Sequence, residues 1–458
     1  MKRLNGMDAI LLYSETPNVH THTLKIAIVD NSNGRFTVDL FRETLLQRLQ
    51  RLEPLRYKLV DIPGRMHHPM WMENCQVDID YHVRCMRLQG RGDQHDLDQT
   101  IGEIASRPLS RDHPLWEFYY VAGLSGRRVA LVGKIHHALA DGVASANLLV
   151  RAMDLTDAPA DDGPVAESCT PPSSRELLWA AGRDHAQQVV RLPSVLARAA
   201  AGAWRLRRRG RERGDQPDLA RLLEAPATFL NHVVSPVRTF ARTSIPLADV
   251  KHTAKKLEVT INDMVLSMAA GALRDLALRY DGHADRPIVA SVPTSTDRSA
   301  HRITGNEIGG MAVSLPVHID DALERVRLTS MAARFGKEDQ ELFGPDLYGR
   351  LMDYLPPAIA TPALHWLANH DTDRRLMNVP ISNVPGPREF GFFSGARVTE
   401  IYSVGPLAPG CGINITVWSY VDALNISVIA DDQTVDDPHE ATDAMVAAFD
   451  AIRVAVDR

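Results

Sequence analysis

The sequence has few of the features that mark metal, redox or membrane-spanning proteins. Its four cysteines, Cys75, Cys85, Cys169 and Cys411, form no Cys-x-x-Cys pair, which argues against a zinc ribbon, a redox dithiol or a disulfide scaffold and favours a reducing setting. No run of about 20 largely apolar residues is present, the length that a membrane-spanning helix needs. Asp8 interrupts the short apolar stretch at the N-terminus and no small-residue cleavage site follows, so no secretion signal is expected. We expect a cytoplasmic protein that is soluble or lies on a membrane surface.

A strong net charge is also missing. With 51 basic and 57 acidic residues the formal net charge is −6, so the overall balance does not favour nucleic acid as a partner. Apolar residues make up 45% and charged residues 24% of the chain, which are ordinary globular values. A chain of 458 residues exceeds one ordinary core, so two domains of about 200 residues each are expected.

Helical and extended patterns alternate along both halves of the chain, which indicates an α/β fold. The stretch 156–174, TDAPADDGPVAESCTPPSS, is rich in Pro, Asp and Ser and predicts a linker. We therefore predict an N-terminal α/β domain over 1–155, a linker with a variable helical and arginine-rich region over 156–225, and a C-terminal α/β domain over 226–458.

The variable region ends in a cluster of six arginines between positions 205 and 213. Such a cluster is an ordinary solvated helix face. The alternative is a contact with anionic lipid, in which Trp204 and an apolar stripe of Leu192, Leu196 and Ala199 enter the headgroup region. Both interpretations stay open from the sequence.

Chemistry concentrates in KIHHALADG, residues 134–142. The strand pattern RRVALVGKI precedes the two histidines, and the helical pattern GVASANLLVRAMDL begins at Gly142. The motif therefore lies in a strand-to-helix loop, where α/β folds usually carry their reactive groups.

Three interpretations of this motif compete. Adjacent side chains on an extended segment point to opposite sides, so His136 and His137 would not easily share a metal ion, and no H-E-x-x-H or acidic cluster adds ligands. Both histidines can instead be hydrogen-bonded core residues. In the third interpretation one faces the core, and the other acts as a general base near neutral pH. Asp141 would then fix the turn through an ion pair, while Gly142 would give the backbone the freedom to enter the helix sharply.

HHALADG fits the HHxxxDG pattern of acyltransferases that resemble chloramphenicol acetyltransferase, a superfamily that includes peptide-synthetase condensation domains. Four further stretches are more specific: MDAILLYSETPNVHTH, RPLSRDHPLWEFYYVAGL, NDMVLSMAAGALR and ISNVPGP. Together they make nearly the whole chain resemble the bacterial wax ester synthase/diacylglycerol acyltransferase family, and its mycobacterial triacylglycerol synthases in particular. The departures are small, since Asn5 and Gly6 replace the commoner Ser-Pro and NDMVLS replaces NDVVLA.

The resemblance implies two chloramphenicol acetyltransferase-like domains that face each other across a substrate tunnel. It implies transfer of a long-chain acyl group from acyl-CoA, the co-substrate, to diacylglycerol or a fatty alcohol, with neither a metal nor a further cofactor. The second histidine of the superfamily motif is the base, a role that falls here on His137. The absence of a G-x-S-x-G elbow agrees with direct attack and no acyl-enzyme.

Other roles implied by the resemblance are less specific. A buried Asp141 would need a cationic partner, and Arg298 is the predicted one. Ser382 and Asn383 are candidate oxyanion donors, although the prolines beside them also suit a plain turn. Asn262 and Asp263 would either cap a helix or influence activity. The segment PLWEF, residues 114–118, would be a turn into a strand or would shape the acyl channel.

Two rival functions remain. One is an acyltransferase of the condensation or polyketide-associated type that takes its acyl group from a carrier protein. The other is a lipid-binding or droplet-coating protein without catalysis, although the intact HHALADG counts against it. A lipid-soluble acceptor favours work at a membrane or droplet surface. The sequence does not fix acyl chain length, the choice of acceptor or the oligomeric state.

Overall fold

The computed structural model describes residues 1–154, 171–214, 216, 218–220, 225–371 and 375–458. Most of the predicted linker at 156–174 lies outside these residues. The strands are β1 (Lys2–Arg3), β2 (His22–Asp30), β3 (Lys58–Val60), β4 (Met70–Met72), β5 (Val83–Arg87), β6 (Trp116–Leu124), β7 (Arg128–His136), β8 (Arg238–Pro246), β9 (Ile288–Ser295), β10 (Ile308–Leu315), β11 (Val379–Pro385), β12 (Phe392–Phe393), β13 (Ala396–Val404), β14 (Ile413–Tyr420) and β15 (Ala423–Asp431).

The α-helices separate these strands and cover the sheets. They are α1 (Gly6–Tyr13), α2 (Val38–Arg48), α3 (Ile79–His82), α4 (Gln94–Ala105), α5 (Gly142–Ala152), α6 (Ser174–Arg213), α7 (Leu247–Lys256), α8 (Ile261–Tyr280), α9 (Ala322–Phe343), α10 (Leu347–Met352), α11 (Pro357–Asn369) and α12 (His439–Val456).

The first sheet has six strands in the order β12-β13-β2-β7-β6-β5. Alternate residues of β2 and β7 point to opposite faces, as the period of a strand requires. Ala27 and Leu131 pack in the core that contains residues of α2 and α5, whereas Ile26 and Val132 pack in the core that contains residues of α4. Strand β7 therefore runs buried through the middle of this half and ends at the histidine pair.

The second sheet also has six strands, in the order β10-β9-β11-β14-β15-β8. Strand β11 pairs parallel with both β9 and β14, while the remaining pairs of this sheet are antiparallel. Helix α8 is buried continuously from Asp263 to Leu273, because small and apolar residues occupy nearly every position there. A third, small sheet joins β1, β4 and β3.

The predicted α/β class with two sheet-containing parts is confirmed. The predicted domain boundaries stay a prediction, and one feature cuts across them. Strands β12 and β13 come from the second half of the chain, yet β13 pairs antiparallel with β2 of the first sheet. The chain then crosses to β14 in the second sheet, so the two halves share structure as well as an interface.

Two details of the sequence pattern can be compared with the structure: the helical pattern of residues 346–369 predicts one helix, and the patterns around VTIND, residues 259–263, predict two helices joined by a short break. The helix expected over 346–369 is divided into α10 and α11, with Pro356 and Pro357 at the start of the second part. The break predicted at VTIND is present, since α7 ends at Lys256 and α8 begins at Ile261.

Among the described residues, no helix is both long enough and apolar enough to cross a bilayer.

Candidate active site

The histidine pair lies at the end of β7, a central strand of the first sheet. His136 is the last residue of β7 and lies opposite His22 of β2. The next backbone N–H, that of His137, donates to the Thr21 carbonyl oxygen at 2.8 Å, and the N–H of Leu139 then turns back to the His136 carbonyl at 2.9 Å. Strand pairing thus fixes the backbone of both histidines and directs their side chains into different surroundings.

His136 lies in a closed network and is 1% exposed. Its Nδ1 accepts the backbone N–H of Ala138 at 3.0 Å. Its Nε2 lies 2.9 Å from the Thr21 hydroxyl, which itself donates to the Leu11 carbonyl, and 3.2 Å from a carboxylate oxygen of Glu15. Since Nδ1 accepts, the proton of a neutral imidazole sits on Nε2 and is already engaged. This arrangement suits support of the loop.

His137 has different neighbours. Its Nδ1 lies 3.0 Å from Oδ1 of Asn306, which lies two residues before the start of β10 in the second half of the chain. Burial lowers the pKa of His137 below its ordinary value, although the nearby Asp141 carboxylate acts in the opposite direction. A lowered pKa keeps the imidazole neutral near pH 7, which is the form that a general base needs.

Asn306 is a site residue that the sequence did not indicate. Its side-chain nitrogen donates to the carbonyl oxygen of His137 and to Oδ1 of Asp8, each at 2.8 Å. Burial raises the pKa of Asp8 to about 7, although the hydrogen bonds from Asn306 act in the opposite direction. An asparagine in the loop before a strand carries no local signal of function, and only the fold brings it to His137.

Asp141 is buried and closes the loop. Its Oδ1 accepts the N–H of Ala144, so the residue is the N-cap of α5. Its Oδ2 accepts the backbone N–H of Glu307 at 3.0 Å. Both carboxylate oxygens also contact the guanidinium of Arg302, at 2.9 and 3.0 Å. The carboxylate therefore holds the loop and the second half of the chain together.

The prediction that Arg298 is the cationic partner of Asp141 is wrong. Arg298 is exposed at the surface, and its side chain makes no hydrogen bond or ion pair with the residues that the structure describes. The loop turns over Asp297 to Arg302, with the N–H of Arg302 on the Ser299 carbonyl, and this turn returns Arg302 to Asp141. The sequence predicted that a buried Asp141 needs a cationic partner. The conformation of the 297–302 loop determines that this partner is Arg302.

The conformational role predicted for Gly142 is also wrong. Gly142 is the first residue of α5 and its φ is not positive, so the helix entry does not require glycine. The position instead needs space, because a Cβ there would lie 3.2 Å from Cγ2 of Val384 on β11. This contact brings β11 of the second sheet against the start of α5.

The candidate oxyanion donors lie on that same strand. Ser382 and Asn383 are residues of β11 and half-buried, opposite Thr416 and Val417 of β14. They precede Val384, which approaches Gly142. No hydrogen bond from either side chain to His137 is found in the part of the chain that the structure describes. They are strand residues close to the loop, and the turn begins only after Pro385.

The NDMVLS segment starts a buried helix. Thr260 is the N-cap of α8, and its hydroxyl accepts the N–H of Asp263, whose carboxylate accepts the N–H of Thr260. The capping interpretation thus holds for Asp263, although at the third helical position of a capping box instead of at the N-cap. Asn262 is half-buried in the first turn.

An apolar cavity lies between the first sheet, α2 and α5. Its lining includes Ile135, two residues before His137, and Ser145, in the first turn of α5. Phe118, from the PLWEF segment, forms part of the wall, and a Cβ on Gly133 would lie 2.7 Å from its ring. PLWEF enters strand β6 at Trp116, as the first interpretation predicts, and Phe118 also lines the cavity; a role in shaping an acyl channel stays a prediction.

Lys25 is a charged residue in the wall of this cavity. Its Nζ lies 2.5 Å from the Ser403 hydroxyl and 4.7 Å from the centre of the Trp418 ring. Burial lowers the pKa of Lys25 to about 7, with Asp141 acting in the opposite direction. Among the described residues, no group of three or more His, Cys, Asp or Glu side chains is arranged to hold a metal ion.

The arginine cluster at 205–213 is partly tied down. Arg209 and Arg213 bind Glu338 of α9 at 2.6 and 2.7 Å, and Arg205 donates to the Leu342 carbonyl at 2.9 Å. In the predicted apolar stripe, Leu196 is 53% exposed, whereas Leu192 and Ala199 are half-buried. Trp204 is 60% exposed. The exposed apolar face of α6 is therefore different from the predicted stripe.

Comparison with known proteins identifies relatives along the whole chain. Residues 4–265 match the family described as wax ester synthase/diacylglycerol acyltransferase catalytic domain, and residues 304–453 match the WS/DGAT C-terminal domain. A protein of Mycobacterium tuberculosis named as a candidate diacylglycerol O-acyltransferase is 53% identical over 455 residues, which cover 99% of this chain and 96% of that protein. An O-acyltransferase of Acinetobacter baylyi is 28% identical over 440 residues, which cover 94% of this chain and 92% of that protein.

Solved structures share the fold. The wax ester synthase/diacylglycerol acyltransferase of Marinobacter aquaeolei aligns with a TM-score of 0.71 at 23% identity, and the alignment covers all of both chains. The first condensation domain of the calcium-dependent antibiotic synthetase aligns with a TM-score of 0.63 at 16% identity, covering 100% of this chain and 96% of that one. At these identities the two likenesses establish the architecture alone.

Proposed function

The chain belongs to the wax ester synthase/diacylglycerol acyltransferase family and is an acyltransferase of that class, and on this premise we propose that it transfers a long-chain acyl group from acyl-CoA to diacylglycerol. The products are triacylglycerol and free CoA. The observation that carries the proposal is the position of His137, whose Nδ1 is engaged by Asn306 and which follows by two residues Ile135, part of the wall of an apolar cavity. Acyl-CoA serves as co-substrate, and no further cofactor is proposed.

In the proposed reaction His137 acts as the general base. Nε2 takes the proton of the acceptor hydroxyl while that oxygen attacks the thioester carbonyl carbon, and the carbonyl electrons move onto its oxygen. Collapse of the tetrahedral intermediate re-forms the carbonyl and breaks the carbon–sulfur bond. The proton held on Nε2 then passes to the CoA thiolate. General-base help of this kind contributes about 10²- to 10⁴-fold, and the remainder comes from positioning and oxyanion stabilisation.

The surroundings of His137 support this assignment. The acyl chain needs apolar surroundings, and the cavity lined by Phe41, Leu45, Leu131 and Leu148 supplies apolar walls that extend to Ile135, two residues before His137. For the oxyanion we keep Ser382 and Asn383 as candidates, because Val384 of the same strand approaches Gly142. Asp141 and Arg302 hold the loop without a direct chemical role.

We also propose peripheral contact with a membrane or lipid droplet through α6. Trp179, Val190 and Trp204 are 67%, 80% and 60% exposed. They are 11 and 14 residues apart, which is close to whole helical turns, so they lie on one face of a helix about 60 Å long. Exposed arginines at 175, 183, 207, 208 and 211 accompany this face. Exposed aromatic and apolar residues with basic neighbours suit an anionic lipid surface.

An assay of purified protein with palmitoyl-CoA and dioleoylglycerol tests the reaction. We expect release of CoA together with triacylglycerol, identified by mass spectrometry, and loss of both in His137→Ala protein with an unchanged circular dichroism spectrum. Hexadecanol as the acceptor tests wax ester formation in parallel. Turnover only with an acyl group carried on a carrier protein would overturn the proposal in favour of the carrier-dependent alternative. Lipid binding without turnover of any donor would favour the non-catalytic one.

A further inference from the structure

Two buried residues from opposite ends of the chain meet at the imidazole of His137. Asn306, 2% exposed, precedes β10, and Asp8, 5% exposed, lies in the first turn of α1. We propose that Asn306 and Asp8 are positioning residues for the acyl transfer: Asn306 holds His137 in the tautomer that leaves Nε2 free, and Asp8 fixes the orientation of the Asn306 amide. The proposal rests on the function proposed above for His137.

The orientation of the Asn306 amide follows from its neighbours. The side-chain nitrogen faces two acceptors, the His137 carbonyl oxygen and Oδ1 of Asp8, both at 2.8 Å. An amide turned over by 180° would place its oxygen against these two oxygens, so neither would receive a hydrogen bond from the Asn306 side chain. These two contacts fix one orientation, in which Oδ1 is the atom that faces His137.

The tautomer of His137 follows in turn. Because Oδ1 of Asn306 can only accept, the Nδ1 of His137 that lies 3.0 Å from it must carry a hydrogen. A neutral imidazole has one N–H, so Nε2 is then the unprotonated nitrogen and can take a proton. The opposite tautomer would place an N–H at Nε2 and two lone pairs against each other at Nδ1.

Asp8 is the anchor of this arrangement. Its Oδ1 accepts both the side-chain nitrogen and the backbone N–H of Asn306, each at 2.8 Å. Helix α1 holds Asp8 in turn, since Asn5 is its N-cap and accepts the N–H of Asp8 at 2.7 Å. The amide of Asn5 also donates to the Asn306 carbonyl at 3.3 Å. The N-terminal helix thereby sets the geometry of an asparagine that lies some 300 positions later in the chain.

Steady-state kinetics of two variants test the pair. In Asn306→Ala we expect kcat to fall by about 10²- to 10³-fold, because His137 is no longer held in one tautomer and one ring orientation. The KM for palmitoyl-CoA should stay within about threefold, because the contacts to the substrate are kept. The Asn306 oxygen stabilises the imidazolium, so its removal lowers the pKa of His137. The acidic limb of the kcat/KM profile should therefore move to lower pH.

Substitutions of Asp8 separate its role from packing. Asp8→Asn retains an oxygen that accepts both N–H groups of Asn306, so it should keep most of the activity. Asp8→Leu has a similar volume and no acceptor, so it should lose kcat as Asn306→Ala does. The matched control is Asn378→Ala, which removes a similarly buried amide that directly precedes β11, at the opposite end of that strand from Val384, and donates to the Pro226 carbonyl. We expect it to lower the melting temperature and to leave kcat and the pH profile unchanged.

The outcomes separate the two proposals. If wild-type protein shows no turnover of acyl-CoA, the proposed function fails. If wild-type protein turns over but folded Asn306→Ala has wild-type kcat and an unmoved acidic limb, the positioning role alone is overturned. Equal loss of activity in Asp8→Asn and Asp8→Leu would overturn the role of Asp8 and leave that of Asn306. Should Asn306→Ala fail to fold, Asp8→Leu measured against Asp8→Asn still decides the question.

Discussion

Arg302 binds Asp141 through both terminal nitrogens, Nη1 at 2.9 Å from Oδ2 and Nη2 at 3.0 Å from Oδ1. The same guanidinium donates to the carbonyl oxygens of Gly305 and Asp297, both at 3.0 Å. This side chain therefore joins the histidine loop of the first half to the 297–307 loop of the second. The pair is a buried ion pair that links the two halves of the chain at the candidate site.

The first prediction concerns that link. Arg302→Met leaves a buried carboxylate without its cation, which costs about 3 to 5 kcal/mol of unfolding free energy. Arg302→Lys should be intermediate, because an ammonium cannot bind both oxygens in the planar fork. Urea denaturation measures both. The exposed Arg298→Met serves as the control with wild-type stability, and a loss there equal to that of Arg302→Met would contradict the assignment.

The two adjacent histidines should respond differently to alanine. His136→Ala removes a partner of the buried Thr21 hydroxyl and of Glu15, so we expect a loss of about 1 to 3 kcal/mol of stability. His137→Ala should abolish turnover with a smaller change in melting temperature. Thermal unfolding monitored by circular dichroism, paired with the acyltransfer assay, compares them. Equal effects of the two variants on both measurements would contradict their separate roles.

Substitution of Gly142 tests whether this position requires space beside β11 or a backbone conformation that only glycine adopts. Gly142→Ala should fold, since the residue has no positive φ, but its Cβ would meet Cγ2 of Val384 at 3.2 Å and displace the start of α5. Val384→Ala removes the obstructing atom, so the double variant should recover at least part of the activity lost by the single one. A double-mutant cycle on kcat measures this coupling. Purely additive effects would show that the two positions act independently.

The pH dependence of the free energy of unfolding should reveal the lowered pKa of Lys25. Burial lowers the pKa of Lys25 from 10.5 to about 7 in the folded protein. Between these values the unfolded chain binds more protons, so this group makes the free energy of unfolding rise with pH, by about 3 to 5 kcal/mol in total. Lys25→Met should flatten that rise, and exposed Lys251→Met should retain it. Urea denaturation at pH 6.5 to 9.5 makes the comparison, and an unchanged slope in Lys25→Met would contradict the prediction.

Membrane contact through α6 can be tested with a pair of exposed valines. Val190 is 80% exposed on α6 and Val454 is 49% exposed on α12. Val190→Asp should weaken flotation with phosphatidylglycerol vesicles, whereas Val454→Asp should not. Acyltransfer from soluble substrates should persist in both variants. Equal flotation of wild type and Val190→Asp would place the contact elsewhere.

Much of the fold was predictable because its signals are local. The apolar run before His136 and the periodicity after Gly142 predicted β7 and α5, and the break at VTIND predicted the boundary between α7 and α8. The need of a buried Asp141 for a cation was also predictable from electrostatics. Arg302 was not, because Asn147 of α5 holds the turn from 297 to 302 in place by hydrogen bonds to the carbonyl oxygens of Ser299 and Arg302, which lie more than 150 positions away in the chain.

Other features depend on contacts between distant parts of the chain. Asn306 reaches His137 only because the loop before β10 docks on β7, and no motif surrounds it in the sequence. The partner of β2 is likewise invisible locally, since β13 follows it by more than 360 positions. Gly142 was correctly singled out from the sequence, but for the wrong reason. The need for glycine comes from the close approach of Val384 on β11, and the tertiary structure brings that residue to Gly142.

The pairing of β13 with β2 has a consequence for how the protein is made. A ribosome releases residues 22–30 long before residues 396–404 exist, so the emerging N-terminal part must wait with one strand edge open. Unpaired edges attract other chains, which makes the nascent N-terminal half a natural client of chaperones. Expression of residues 1–155 alone should give aggregated material, and coexpression with residues 226–458 should recover soluble protein.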